Sequence, residues 1–225
     1  MVRWGVLVDH PHIAALRGTF VSADMWDTPA LFFAHEYHAG AVSLETLHCS
    51  ESDNCAVASE AEIWVYASQL CCALKAVHDV GLSAGGSASL APNKLLLCSK
   101  GAVADHPGSS QGCRIRLAAL GVVDVLRPEA VGLHGGQSLA TAQCDDLRAL
   151  GISMAKILCG SVHLSSADAL AGMSHRCSPM LDRVIVGLVS GGISDCSVFS
   201  QILTPIAFDS LYFERTICDT LKAEL

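Results

Sequence analysis

Charge is scarce in this chain, and positive charge is the scarcer kind. Only 16% of its 225 residues are charged, 14 basic against 22 acidic, for a formal net charge of −8. That leaves no basic footprint for nucleic acid, so any RNA contact is expected to be local or to come through a partner. Also missing is an unbroken apolar run of the 18 or so residues that a membrane helix needs, which predicts a soluble protein. The N-terminus, Met1-Val2-Arg3-Trp4, lacks a charged segment followed by a long apolar one, and this argues against secretion. No C-x-x-C pair occurs among the eleven cysteines. His35, His38, His48 and Cys49 lie close together, but their spacing matches no zinc signature. The simplest account is a reduced, cytosolic chain with buried thiols. Cys71 and Cys72 sit side by side within a helical pattern, where free cysteine behaves as a small hydrophobe.

What is present is apolar material for a core: 51% of the residues are hydrophobic, the opposite of a disordered profile. Leu31 to Tyr37 (LFFAHEY) predicts a buried strand leading into a linker. Asp53 to Ala58 predicts a loop. Ser59 with Glu62 forms a capping-box signature, behind which Ile63, Tyr66, Leu70, Leu74 and Val77 recur at helical spacing, with Gly81 as the stop. Leu95 to Leu97 and Arg114 to Leu117 predict two short strands joined by the loop Ser99 to Gly112, and Pro128 to Gln143 predicts a second long loop. Leu147, Leu150, Met154, Ile157 and Leu158 mark a helix closed by Gly160. Leu181, Val184, Ile185 and Leu188 mark another, ending at Gly191 and Gly192. Helical spacing resumes from Ser200, and Leu211, Cys218, Leu221 and Leu225 approach the alternating spacing at which a coiled coil starts. Strands first, then a long helix, a hairpin and only helices predict an α+β domain with a mostly helical second half.

That order, together with several local blocks, resembles a protein kinase from the fourth strand of its small lobe onward. Asp9-His10-Pro11-His12-Ile13 is similar to the H-P-N-I segment, and Leu31 to His48 to the fifth strand and hinge. Ala76 to Gly81 resembles the A-x-x-x-H-x-x-G helix ending, and Asp146 to Gly151 the D-x-W-x-x-G opening of the central large-lobe helix. Collinear blocks at Glu36 to Ala41, Pro92 to Leu97, Arg114 to Leu126, Asp146 to Gly151 and Cys177 to Ser190 resemble one family in particular, the pseudokinase regulatory subunit of the poly(A)-nuclease deadenylation complex. The resemblance implies a kinase-like fold with a partial small lobe and hinge (1–48), a helical large lobe (49–200) and a C-terminal helix leading into a coiled coil (201–225). It implies an adaptor that brings the catalytic exonuclease subunit to poly(A) tails for mRNA decay, homodimeric in the full-length protein, and cytoplasmic with a place in P-bodies. Poly(A)-binding protein and poly(A) RNA would be met through the complex. Measured against that family, this chain starts inside the small lobe and stops where the coiled coil begins.

Phosphoryl transfer needs a catalytic aspartate, magnesium-holding Asn and Asp, and a lysine on the phosphates. Aligned on P-N-K-L-L-L, the histidine-arginine-aspartate positions fall at Ser87, Ala88 and Ser89, the metal-holding Asn at Lys94, and the D-F-G at Ala119, Leu120 and Gly121. No acidic residue stands in this loop, so neither catalysis nor a magnesium site is expected. ATP binding is a separate matter. In the family the hinge and the degenerate catalytic loop contact ATP, here Glu36, Tyr37, His38, Ala39, Gly40, Ala41, Val42 and Ser43 together with Asn93 and Lys94. Such ATP would be structural and not hydrolysed. The alternative is a plain inter-lobe linker and a solvated strand-edge lysine. A generic pseudokinase scaffold is a second functional alternative. A third is a serine hydrolase on the G-x-S-x-G match around Ser83, which needs a strand before the serine and has a helix there instead.

Overall fold

In the computed structural model, residues 4–24, 28–50, 56–98, 114–126 and 138–206 are described. A 3₁₀ turn at Trp4–Leu7 opens the small lobe, followed by β1 (Leu16–Ser22) and β2 (Ala30–His35), an antiparallel ribbon. A bulge lies between Leu16 and Gly18, where Leu16 opposes His35 and Gly18 opposes Ala34. The hinge then runs into β3 (Val42–Ser43) and α1 (Leu44–His48), capped by the Ser43 hydroxyl on the Thr46 amide.

α2 (Glu60–Asp79) begins at Ser59 with the reciprocal capping box that the sequence predicts. Its apolar residues Ile63, Tyr66, Leu70, Leu74 and Val77 are all buried. Gly81 takes φ +72°, which lets the chain turn directly after the helix. α3 (Ser87–Leu90) and a 3₁₀ turn at Pro92–Lys94 lead into β4 (Leu95–Cys98), which pairs with β3 on one side and β5 (Arg114–Leu117) on the other. After α4 (Val122–Leu126) come α5 (Leu139–Cys159), α6 (Ser166–Met173), α7 (Pro179–Ser190) and a helix over residues 196–206. α5 is the axis of the large lobe and packs against α2, α3, α6 and α7. Gly151 makes the α7 crossing tight, since a Cβ there would stand 2.9 Å from Val189 Cγ2.

Three expectations need correction. Residues 139–143 are helical, because Ser138 caps the Thr141 amide and starts α5 before the Gly/Ser/Ala-rich stretch has ended. The strand within LFFAHEY forms but is not buried: no residue of β1 or β2 is, because among the described residues each strand pairs only with the other. Of the adjacent cysteines only Cys71 is buried, while Cys72 faces out. The loop Ser99 to Gly112 and the stripe Leu211, Cys218, Leu221 and Leu225 lie outside the described residues. Among those described, no helix is long and apolar enough to cross a membrane.

Candidate functional site

The loop that follows α2, expected to be the degenerate catalytic loop, is built around one carboxylate. Asp146, fully buried in α5, accepts hydrogen bonds from the Ala84 amide (2.7 Å) and His78 Nε2 (3.0 Å) on one oxygen. Its other oxygen accepts from the Gly85 amide (3.1 Å), the Gly86 amide (2.7 Å) and the Ser83 hydroxyl (3.1 Å). Three consecutive amides converge on it because Gly85 and Gly86 take φ of +101° and +58°. A buried carboxylate needs such partners, and these use its acceptor sites on the protein itself.

His78 completes the anchor from α2, its other ring nitrogen 3.4 Å from Cys196 Sγ. Burial lowers the basicity of this imidazole, but the hydrogen bond to Asp146 overcomes it and raises the pKa to about 9. Cys196 contributes little charge: its contact with Cys71 and its burial push the thiol far up, so it is neutral wherever His78 titrates.

The loop leads to Asn93 and Lys94, in the 3₁₀ turn that opens β4. Lys94 accepts the Ala118 amide on its carbonyl (2.9 Å), and its turn packs on β3 and α1. β3 pairs Val42 with Leu97 and Ser43 with Leu96, so the hinge exit lies against the strand that follows Lys94. The two segments expected to contact ATP are therefore neighbours, although α1, α2 and α3 lie between them in sequence. Tyr37 is 85% exposed, Gly40 takes φ +71°, and a turn closes from the Ala41 amide to the His38 carbonyl (3.2 Å). No backbone partner holds the amides of Tyr37, His38 and Ala39 among the described residues. Lys94 has no carboxylate partner there either.

Ser89 is buried, and its hydroxyl covers Gly85, where a Cβ would stand 3.2 Å from Oγ. Ala119 holds φ +59° directly before Leu120 and Gly121. The His35 ring hydrogen-bonds the Leu120 backbone, which ties β2 to this turn, and Trp4 lies over Gly121. Ser83 does not sit on a strand–helix elbow. Helix α2 and a turn precede it, and its hydroxyl is spent on Asp146 and the Ala142 carbonyl. Among the described residues, no group of three His, Cys, Asp or Glu side chains could hold a metal ion. Sequence reasoning saw Asp146 and His78 as motif members and missed their contact; the two motifs together were the signal for it.

No protein-family model matches the chain. A search of solved structures returns the pseudokinase and C-terminal region of Neurospora crassa PAN3 in complex with PAN2, at TM-score 0.75 and 20% identity over 100% of this chain and 52% of that one. The Drosophila melanogaster PAN3 pseudokinase aligns at TM-score 0.69 and 20% identity, over 100% of this chain and 59% of that one. The fold is that of the PAN3 pseudokinase. A Mycobacterium tuberculosis PknI kinase domain matches less well, at TM-score 0.57 and 17% identity over 88% of this chain and 73% of that one. Among curated proteins, the PAN2-PAN3 deadenylation complex subunit pan3 of Dictyostelium discoideum is 28% identical over 97% of this chain and 27% of its own length. The human PAN3 subunit is 25% identical over 69% of this chain and 18% of its own length. The chain thus spans about a quarter or less of the curated relatives it matches. Both comparisons agree with the family resemblance of the sequence blocks.

Proposed function

We propose that the chain serves as a non-catalytic regulatory subunit of a poly(A)-nuclease deadenylation complex, bringing the catalytic exonuclease to mRNA poly(A) tails. The observation that carries this is the similarity to a PAN2-PAN3 complex subunit over 97% of the chain, joined to the PAN3 pseudokinase fold. Chemistry supports the non-catalytic part. A kinase loop needs a free carboxylate for the hydroxyl and two metal ligands. Residues 82–94 and 118–121 supply none, and Asp146 is committed to holding the loop. ATP, bound at Glu36 to Ser43, Asn93 and Lys94, is a structural ligand without a metal. The stripe Leu211, Cys218, Leu221 and Leu225 begins the coiled coil of a homodimer, and poly(A)-binding protein and poly(A) RNA are reached through the complex, in the cytoplasm and its P-bodies. The test is affinity purification of the tagged chain from cytosolic extract of its own cells. Recovery of the exonuclease subunit is expected; a folded bait that recovers other signalling proteins and no exonuclease would favour a scaffold in a different complex.

A further inference from the structure

Where β1, the hinge and β5 meet, three cationic or imidazole side chains surround one carboxylate oxygen and none of them bonds it. Arg17, His38 and Arg116 approach Glu36 Oε2 at 3.7, 3.8 and 3.9 Å. These distances fall within ion-pair range and beyond hydrogen-bond range. The shortfall shows on the partners. Among the described residues, the buried side-chain polar atoms without a hydrogen bond are Arg116 Nε, His38 Nε2 and His35 Nε2, the first two of them on side chains that face Glu36. The Arg116 side chain is only 16% exposed, and its hydrogen bond goes to the Ile13 carbonyl (3.1 Å). A half-satisfied buried guanidinium is costly, and groups of this kind mark a missing acceptor.

The backbone is shaped to bring these groups together. The bulge in β1 falls at Arg17, the one residue of that strand without an opposing partner in the register. A bulge re-aims its side chain, here across the ribbon toward Glu36. Arg116 arrives from the outward face of β5, where Ile115 and Leu117 face the core. Arg17 is 51% exposed and Glu36 30%, so the junction opens to solvent on that side.

We propose that Arg17, His38 and Arg116 form an oxyanion site on the hinge, and that Glu36 is its internal placeholder. A single carboxylate already sits there and leaves donors unmet, so the ligand carries more charge and more acceptors: a dianionic phosphate monoester, from a phosphorylated side chain or a nucleotide. Two Arg and a His donor suit such a group through charge-assisted hydrogen bonds. Because Arg17 belongs to the small-lobe ribbon and Arg116 to β5, a bound phosphate would fix the ribbon against the large lobe. The proposal stands apart from the adaptor reading.

Titration of the chain with inorganic phosphate, read by the His38 imidazole resonances and by melting temperature against chloride of equal ionic strength, tests it. Saturable binding and a rise in melting temperature beyond that in chloride are expected. Glu36→Gln removes the placeholder and should tighten phosphate about fivefold, while Arg17→Gln should weaken it about fivefold. Phosphoserine and AMP in parallel separate the sources. Tighter binding of phosphoserine assigns a modified side chain; tighter binding of AMP that survives Lys94→Glu assigns a nucleotide. No effect beyond chloride, or an affinity unchanged by Glu36→Gln, overturns the site. Arg17 is exposed, so its arm decides alone should Glu36→Gln fail to fold.

Discussion

Ala119 holds a backbone angle that suits glycine. At φ +59° it is the one non-glycine residue with positive φ among those described, and the left-handed region costs an L-residue roughly 1–2 kcal/mol. Ala119→Gly should relieve that strain, less the extra unfolded-state entropy of glycine, for a gain of up to about 1 kcal/mol in urea unfolding. Ala119→Val should lose more than it gains anywhere, because a branched side chain crowds that conformation. At His78 the prediction concerns pH. Its pKa is raised from 6.5 to about 9 in the folded chain. The stability this contributes, at most about 3 kcal/mol, is therefore complete below pH 6.5 and lost as pH rises through 9. Asp146→Asn should shrink that alkaline limb, leaving only the Cys196 contact to favour the imidazolium, and destabilise at every pH, since it leaves three amides and an imidazole facing a neutral amide. An unchanged slope between pH 7 and 9 in that variant would remove Asp146 as the cause. Both residues stood out in the sequence only within separate motifs. Their contact spans 68 positions, and nothing in local spacing states which buried histidine meets which buried aspartate.

At the scale of elements, capping chemistry was the most legible signal. Ser59 with Glu62 fixed the start of α2, and glycines at 160 and 191, both left-handed, closed α5 and α7. Where capping residues sit inside small-residue stretches, as Ser138 does, composition hid the start of α5. The β1–β2 ribbon was legible as strands but not as an open surface, because periodicity reports which residues are apolar and not whether a layer covers them. Phe20 and Phe32 stack across it at 5.1 Å, yet Phe20 remains 54% exposed. One cross-helix cap was invisible altogether: Glu60 of α2 accepts the Ser178 amide (2.8 Å) and hydroxyl (2.6 Å) at the start of α7. Partial burial would raise the Glu60 carboxyl, but the two Ser178 bonds and one from Trp64 bring it below its usual value. A depressed carboxyl contributes stability above its unfolded pKa that disappears as pH falls through the folded one. Ser178→Ala removes the hydroxyl bond to Glu60 and the α7 cap while keeping the backbone amide bond. It should cost about 1–2 kcal/mol at neutral pH and somewhat less at pH 3, where the bond to the Glu60 carboxylate no longer counts but the cap still does, measured by chemical denaturation.

At the scale of the whole molecule, backbone bonds join residues 12–15 to β5 and to the hinge. The Ala14 amide bonds the Leu117 carbonyl, the Leu117 amide bonds the His12 carbonyl, and the Glu36 amide bonds the Ala15 carbonyl. With the β3–β4 pairing and the Ala118 amide on the Lys94 carbonyl, the hinge exit, Lys94 and the 118–121 turn are neighbours, an arrangement that collinear motif blocks implied but that no single block contained. The proposed nucleotide site depends on that convergence, and Lys94 is its most direct probe. Its ammonium rises from a short 3₁₀ turn beside β3 without a carboxylate partner among the described residues, so a nucleotide phosphate would be its natural counter-charge. Lys94→Glu exchanges attraction for repulsion at that spot and should weaken ATP by about tenfold or more. The backbone of the turn is fixed by the Lys94 amide on the Ala91 carbonyl and by the Ala118 amide on the Lys94 carbonyl. A change of side chain therefore leaves the fold in place, and unaltered melting without nucleotide is expected. Equal ATP affinity in the variant and the parent, measured with a fluorescent analogue, would mean that phosphate is held elsewhere and that Glu36 to Ser43 is a linker only.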